Sequence, residues 1–168
     1  MKPLRLKMQA FGSYGKETTI DFEKVNQNLF LITGDTGAGK TTIFDAIVFA
    51  LYGEASSSLN KKEGVVLQSQ YVDFDSEPYV ELVFSEGRDE KREIYTVRRV
   101  PRHLKTITRG ANKGNPKENT GSVSLIMPDG MEYPSKETDR KLQEIVGRKK
   151  SQFMQVAMIA QGEFMDLL

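Results

Sequence analysis

The chain contains no cysteine and only one histidine among its 168 residues. The absence of cysteine excludes disulfide bonds and thiolate metal sites within these residues, and it is compatible with a reducing compartment. A net charge of +1 favours neither nucleic acid nor membrane as a partner of the whole surface. The apolar runs are too short to cross a bilayer and charges interrupt the N-terminal stretch, so we expect neither a membrane span nor a signal peptide. The length fits one domain, or most of one.

The most informative segment is 34–41, Gly-Asp-Thr-Gly-Ala-Gly-Lys-Thr, which fills every fixed position of the G-x-x-x-x-G-K-S/T motif. A short apolar run at 28–33 precedes it and has the character of a strand. A run without glycine or proline follows at 40–52 and predicts a buried central helix that ends at Gly53. Strand, glycine-rich loop and helix are the order that this motif requires, so we predict a phosphate-binding loop. The alternative is a glycine-rich turn that binds nothing.

Each position of the predicted loop has a physical role toward ATP and Mg²⁺. The glycines permit backbone angles that turn successive N–H groups inward, and the start of the helix adds free N–H groups and the positive end of its dipole. Lys40 is expected to place its ammonium between the β- and γ-phosphates, the Thr41 hydroxyl to bind Mg²⁺, and Thr42 to reach the α-phosphate. The predicted nucleotide-binding residues are Gly34, Asp35, Thr36, Gly37, Ala38, Gly39, Lys40, Thr41 and Thr42. Asp45 fits either a role behind the nucleotide or a structural hydrogen bond.

Three regions are predicted along the chain. They are strands, phosphate loop and central helix in 1–60, an antiparallel β subdomain in 75–134, and a helical segment in 135–168. Alternating apolar residues predict the strands, which lie at 4–8, 18–22, 79–84, 93–100, 104–108 and 121–127. We expect each of the last two pairs to form an antiparallel hairpin, the second of them across the polar loop 110–120.

The C-terminal third predicts a helix that Ser135 caps and that runs through Val146 to Gly147. The apolar segment 151–160 fits helix or strand, and the polar segment 54–70 is expected to be mobile. A complete phosphate-loop ATPase also needs an apolar strand that ends in an acid. The nearest match, 123–129, reads better as a hairpin ending in a Pro-Asp-Gly turn, so we expect the N-terminal part of a longer protein.

Three segments occur in a characteristic order and spacing: the opening 4–14 with Ile20-Asp-Phe22, the phosphate-loop segment 29–54, and 153–164 with Ala160-Gln-Gly-Glu163. Together they resemble the N-terminal ATPase segment of the SbcC family, the bacterial branch of the SMC-like DNA repair ATPases. The resemblance covers most of the chain. It implies an α/β P-loop NTPase fold, the N-terminal lobe of an ABC-type head, with an added antiparallel β-sheet subdomain.

The resemblance also implies site residues and partners. Gln161 corresponds to the Q-loop glutamine, which completes the Mg²⁺ shell and acts with Lys40 in catalysis. Some relatives have a basic residue after the Phe11 position, but here it is Gly12, so no base contact is transferred. The implied partners are a C-terminal lobe of the same protein, a second head in a homodimer, an SbcD-type nuclease subunit and double-stranded DNA. The implied setting is cytoplasmic and associated with the nucleoid.

The implied function is the ATP-binding half of a nuclease complex that processes DNA double-strand breaks and hairpins, with ATP driving head dimerisation. We expect the isolated chain to be inactive or nearly so. Rivals are a RecF-like or condensin-like head and a nucleotide-gated clamp without essential hydrolysis. A small-molecule kinase is disfavoured, because no lid or acceptor-binding segment is recognisable.

A local cluster of basic residues predicts contact with DNA phosphates. Its members are Arg98, Arg99, Arg102, Lys105, Arg109, Lys113 and Lys117, and no acid lies among them. The alternative is a solvated hairpin whose charges maintain solubility. His103 has no partner pattern for a metal or a general base, so we expect a surface residue.

Overall fold

The computed structural model describes residues 1–24, 32–54, 67–87 and 89–157. Its helices and strands follow in chain order: β1 Lys2–Gln9, β2 Thr18–Asp21, α1 Lys40–Tyr52, β3 Tyr79–Glu86, β4 Glu93–Val100, β5 His103–Thr106, β6 Pro116–Asn119, β7 Ser122–Ile126, α2 Thr138–Val146 and α3 Lys150–Ala157. Five strands form one antiparallel sheet in the order β2-β1-β3-β4-β7, and β5 and β6 form a separate two-stranded sheet.

Alternation of apolar and polar residues gives the larger sheet one buried face. The register aligns Leu6 with Leu82, Leu82 with Val97 and Val97 with Leu125, so four strands place one apolar row side by side. All four side chains are fully buried. A period of two puts such residues on the same face of each strand, which confirms the strands predicted at 4–8, 79–84 and 93–100.

Helix α1 covers this buried face. Because it is apolar on nearly all sides, most of its residues are buried, among them Ala46, Val48 and Ala50. The helix ends where Gly53 adopts a left-handed conformation with φ 76° and donates its N–H to the Phe49 carbonyl at 2.8 Å. This is the glycine C-cap that the sequence predicts.

The second predicted hairpin is wrong. Strand β5 pairs with β6, with Leu104 opposite Glu118, whereas β7 pairs with β4, with Leu125 opposite Val97. The chain between β5 and β6 closes on itself, because Ile107 donates to the Asn115 carbonyl and Gly114 donates to the Ile107 carbonyl, both at 2.9 Å. That closure brings β6 next to β5 and leaves β7 free to extend the larger sheet.

Other expectations change in detail or fall largely outside the described residues. Ser135 opens a short 3₁₀ turn without a side-chain cap, so α2 begins at Thr138 and not directly after Ser135. Its end at Val146, with Gly147 as the C-cap, is as predicted. The segment left open at 151–160 is helical from Lys150 to Ala157, which is α3. The run 28–33 lies mostly outside the described residues, and Ile32 and Thr33 are not in a strand. Residues 55–66, most of the segment expected to be mobile, also lie outside them.

The 123–129 segment does end in a turn. Gly130 has φ 83° and donates to the Met127 carbonyl, while the Asp129 carboxylate accepts from the Met131 N–H at 2.9 Å. The hydrogen bond ties Asp129 to this exposed turn at the end of β7.

Candidate functional site: the phosphate loop

The loop between residues 34 and 39 follows a backbone course that glycine makes possible. Gly34, Gly37 and Gly39 have φ values of 155°, 86° and 86°, all in the region that L side chains rarely adopt. A Cβ on Gly37 would meet no atom within 4 Å, whereas a Cβ on Gly39 would lie 3.1 Å from Tyr14 Cε2. Gly37 therefore faces open space, whereas Gly39 is in contact with Tyr14.

Helix α1 begins directly at Lys40, with Gly39 as its N-cap. This N-cap makes no side-chain hydrogen bond, and the first turn carries no acidic residue. The N-terminal amides of the 13-residue helix and the positive end of its dipole are therefore not compensated by a cap or an acid of the helix itself. A phosphate group is the natural partner for such a helix start.

The Lys40 ammonium lies over the loop. Its Nζ donates hydrogen bonds to the carbonyls of Gly34 at 2.5 Å and Asp35 at 2.7 Å. Within the described ranges Lys40 forms no salt bridge, so its positive charge stands among neutral carbonyls. A cation held at the mouth of a glycine loop beside a helix start fits an anion of high charge density, as the sequence predicts.

A second loop, at 10–14 between β1 and β2, packs against the phosphate loop. We call it the β1–β2 loop. Its Ser13 Oγ lies 3.3 Å from Thr42 Oγ1, and burial raises the pKa of the Tyr14 hydroxyl. A Cβ on Gly12 would lie 2.7 Å from Thr42 Cγ2, so the two segments are in close contact.

The sequence predicts Thr41 and Thr42 as ligands, and the structure places them on the first turn of α1, Thr41 exposed and Thr42 half-buried. The support that the β1–β2 loop gives to Thr42 and Gly39 was missed. The only sequence signal was the small-residue pair Gly12 and Ser13, and its contact with a segment almost thirty residues away depends on the tertiary fold.

Gln161 lies outside the described residues, and so does the rest of the predicted Q-loop segment beyond 157. The helix that leads toward it, α3, is held beside the C-terminal end of α1. Lys150 pairs with Glu54 at 2.7 Å, and the rings of Tyr52 and Phe153 lie 5.6 Å apart.

The basic cluster predicted to contact DNA is only partly exposed. Arg99 must be removed from it, because its side chain is 8% exposed, pairs with Asp139 at 2.6 Å and donates to the Ala50 carbonyl at 3.2 Å. Its alternation with Val97 on β4 points it to the core face, where it ties α1 to α2. Arg98 lies on the opposite face, 3.6 Å above the Tyr79 ring, and Arg102 pairs with Glu118 at 3.4 Å.

The remaining basic residues lie together on the β5–β6 hairpin. Lys105 and Lys117 stand directly opposite each other, so two exposed like charges face across the hairpin. Arg109 and Lys113 are exposed at its tip. Within residues 1–24, 32–54, 67–87 and 89–157, none of the four forms an ion pair. Opposed like charges destabilise a hairpin slightly, which favours an anionic partner for this surface.

His103 is buried rather than on the surface, because the residue as a whole is only 2% exposed. Its Nδ1 lies 3.0 Å from the Pro101 carbonyl oxygen, which accepts a hydrogen bond from the imidazole tautomer that carries its proton on Nδ1. The first residue of β5 therefore anchors the hairpin in the fold, a role that the charged residues around it in the sequence concealed.

The described residues contain neither a cluster of metal ligands nor a membrane-spanning helix. No group of three or more His, Cys, Asp or Glu side chains is arranged to hold a metal ion in the part of the chain that the structure describes. Over that same part, none of the helices has the length and apolar character that a membrane span needs.

A glycine-rich loop that leads into a buried central helix, with a lysine at the start of that helix, is typical of the phosphate-loop NTPases, and this chain has that arrangement. Residues 5–168 match the AAA domain family, and the chain belongs to that family. The predicted fold class, an α/β P-loop NTPase with an antiparallel sheet, is thereby confirmed.

The predicted resemblance to the SbcC family is also confirmed. A protein from Staphylococcus saprophyticus, named as the C subunit of the nuclease SbcCD, is 33% identical over 174 residues, and one of the same name from Vibrio cholerae is 34% identical over 172. Each alignment includes the whole of this chain and 16% of the relative. An SMC head domain from Thermotoga maritima is similar with a TM-score of 0.45 and 23% identity, covering 84% of this chain and 42% of that one. A structural likeness of that size carries no further conclusion.

Proposed function

We propose that this chain is the ATP-binding half of the ATPase subunit of an SbcCD-type nuclease complex. The observation that carries the proposal is the phosphate loop, with Lys40 bonded to the Gly34 and Asp35 carbonyls and an uncapped helix start beside it. The relatives named as the C subunit of the nuclease SbcCD support the choice of complex over a RecF-like or condensin-like head.

The chain's own residues would act on ATP by position and charge. The loop amides of 34–39 and the first amides of α1 would surround the phosphates, and Lys40 would exchange its carbonyl partners for phosphate oxygens. Mg²⁺, when bound, supplies further charge neutralisation, and Thr41 and Gln161 are the residues proposed to hold it. Gln161 would also orient the water that attacks the γ-phosphate in line.

The complete reaction would need more polypeptide than this chain. The chain spans 16% of the length of the relatives it matches. We propose that a coiled coil and a C-terminal lobe of the same protein complete the head, and that ATP binding drives two heads together. The proposed partners are an SbcD-type nuclease subunit and double-stranded DNA, in a cytoplasmic, nucleoid-associated complex that processes double-strand breaks and hairpins.

The β5–β6 hairpin is the surface that we propose for DNA. Its four exposed cations, at positions 105, 109, 113 and 117, have no ion-pair partner among the residues that the structure describes. Exposed lysine and arginine side chains of this kind bind DNA phosphates rather than base edges. Such binding is independent of sequence, as an enzyme that acts on DNA ends of any sequence requires.

The test is Lys40→Ala in the complete protein with its nuclease subunit. Loss of the ammonium removes charge stabilisation of the phosphates, so we expect ATP hydrolysis to fall by about 100-fold or more. Lys136→Ala is the control, because Lys136 is an exposed lysine on the 3₁₀ turn before α2. Phosphate release and cleavage of a DNA hairpin would both be measured.

Two outcomes would contradict the proposal. Unchanged hydrolysis would remove the phosphate loop from catalysis. Lost hydrolysis with undiminished hairpin cleavage would favour the rival function, a nucleotide-gated clamp whose hydrolysis is not essential.

A further inference from the structure

The β5–β6 hairpin shares no strand pairing with the larger sheet, so its attachment depends on other contacts. The side-chain amide of Gln68 provides one of them. Gln68 Nε2 donates to the Leu104 carbonyl at 2.9 Å, and Gln68 Oε1 accepts from the Leu104 N–H at 2.9 Å. Gln68 thereby pairs with β5 as the peptide group of a neighbouring strand would. It is 8% exposed, so loss of its amide would leave polar groups of β5 unpaired.

The backbone around Gln68 is bonded to the β1–β2 loop. Phe11 forms an antiparallel bridge with Gln68. Gly12 donates to the Leu67 carbonyl at 2.9 Å, and Ser69 donates to the Ala10 carbonyl at 2.7 Å. One residue therefore contacts the hairpin through its side chain and the β1–β2 loop through its main chain.

The β1–β2 loop is itself fixed in an unusual conformation. Ala10 is fully buried and has φ 47°, in the left-handed region that costs a residue other than glycine conformational energy. Hydrogen bonds hold it on both sides, from its own N–H to the Gly15 carbonyl and from Ser69 to its carbonyl. From this loop, Ser13 and Tyr14 contact Thr42 and Gly39 of the phosphate site.

We propose that Gln68 is a positioning residue that links anion binding on the β5–β6 hairpin to nucleotide binding at the phosphate loop. The inference rests on the proposed function, which supplies DNA phosphates at one end and ATP at the other. Phosphates that order the loop also fix Thr42 and Gly39, and the β1–β2 loop passes that restraint through Gln68 to β5. Because linkage is reciprocal, DNA on the hairpin changes the affinity for ATP by the same factor that ATP changes the affinity for DNA.

The experiment measures that factor in the complete protein with its nuclease subunit. The affinity for a non-hydrolysable ATP analogue is determined without DNA and with saturating duplex DNA, and the affinity for DNA alone is determined separately. We expect the wild-type affinities for the analogue to differ by about 5- to 100-fold. Gln68→Leu should bring the ratio to within about twofold of one, while each ligand alone still binds within about threefold of the wild type.

Two further variants sharpen the result. Gln68→Glu keeps an acceptor for the Leu104 N–H but loses the donor to the Leu104 carbonyl, so we expect an intermediate ratio. Gln70→Leu is the matched control, because Gln70 is exposed and lies two positions away. It should keep the wild-type ratio.

The outcomes separate this inference from the proposed function. The ratio of the analogue affinities with and without DNA decides the inference. If Gln68→Leu does not change this ratio, or if the ratio is one in the wild type, the inference is overturned, while the proposed ATP and DNA sites are unaffected. Loss of either ligand alone in Gln68→Leu also overturns it, because the residue would then build a site rather than link two. Failure of the wild type to bind ATP or DNA overturns the proposed function and this inference with it.

Hydrogen exchange in the wild type gives a test that does not depend on a variant folding. The Leu104 amide proton is bonded to Gln68, so the ATP analogue should slow its exchange by about threefold or more. Unchanged exchange at Leu104 with the analogue bound would overturn the inference.

Discussion

At the scale of single residues, the close contact of Gly12 with Thr42 makes a sharp prediction. Gly12 has φ 53°, and a Cβ there would lie 2.7 Å from Thr42 Cγ2. Gly12→Ala should destabilise the protein by about 1–3 kcal/mol, through the clash and the left-handed backbone together. Thr42→Ser removes the clashing methyl and keeps the hydroxyl, so the double variant should recover about 0.5 kcal/mol or more. Denaturant unfolding of all four proteins measures this coupling.

Gly130→Ala is the matched control for that cycle. Gly130 has φ 83°, but a Cβ added there would meet no atom within 4 Å, so its alanine variant should show only the backbone cost. It should also combine additively with Thr42→Ser. If the effects of Gly12→Ala and Thr42→Ser are also additive, the predicted steric clash between positions 12 and 42 does not occur.

Two tyrosines predict how stability changes in alkaline solution. Burial, with the hydrogen bond to Glu17 second, raises the pKa of Tyr79 from 10.0 to about 12. Burial, with the hydrogen bond to Glu93 second, raises the pKa of Tyr95 to about 12 as well. Because the folded state favours the protonated phenols, their contribution is full below pH 10 and is lost as the pH rises through about 12.

Unfolding by denaturant at a series of pH values measures this loss. The free energy of unfolding should fall from pH 10 to 12, and it should fall less steeply in Tyr79→Phe, which has no phenol to ionise. Tyr71→Phe is the control, because Tyr71 is 77% exposed. If the free energy of unfolding falls equally steeply with pH in Tyr79→Phe and in the wild type, ionisation of Tyr79 is not a cause of the loss.

At the scale of the elements, we expect the like charges on the β5–β6 hairpin to lower the stability of the protein while they strengthen DNA binding. Lys105→Glu replaces a like-charge pair with Lys117 by an opposite-charge pair, so the protein should gain about 0.2–1 kcal/mol of stability. The affinity of the complete protein for duplex DNA should fall several-fold, and the slope of its salt dependence should decrease by about one. Salt titrations of DNA binding measure both effects.

Lys136→Glu makes the same charge change on the 3₁₀ turn before α2. It controls for the effect of net charge on DNA binding. If it weakens binding as much as Lys105→Glu does, the hairpin has no special role.

Elements were easier to predict from the sequence than their partners. Helix α1 and strands β1, β3 and β4 follow from local periodicity, because the period of burial is visible in the order of the residues. The partner of β5 depends on how the loop at 107–115 closes on itself, which no pattern of apolar residues records. Tertiary neighbours also decided the environments of Arg99 and His103. Each directly follows a basic residue in the sequence, yet both side chains are buried.

The phosphate loop shows the opposite case. Its residues are contiguous and its glycines and lysine have fixed spacing, so the sequence alone predicts the anion site that the geometry of Lys40 supports. Gln68 could not be found in this way. Its role depends on contacts with residues 11 and 104, one before it in the chain and one after it, and a lone glutamine has no signature.

At the scale of the whole molecule, we expect the 168-residue chain to bind ATP weakly and to hydrolyse it poorly by itself. The chain spans 16% of its relatives' length, and the acidic strand that phosphate-loop ATPases need is not recognisable in its sequence. Hydrolysis by the complete protein should exceed that of the isolated chain by about 100-fold or more. Phosphate release from both measures the ratio, and equal rates would show that this chain is catalytically self-sufficient.

The lack of cysteine, combined with the exposed tip of the β5–β6 hairpin, offers a place for a reporter. Ala111 lies at that tip and is exposed, so Ala111→Cys would introduce a single thiol among these 168 residues. The emission of a fluorophore attached there could be recorded while nucleotide is added, and a change would report on the hairpin when nucleotide binds at the phosphate loop.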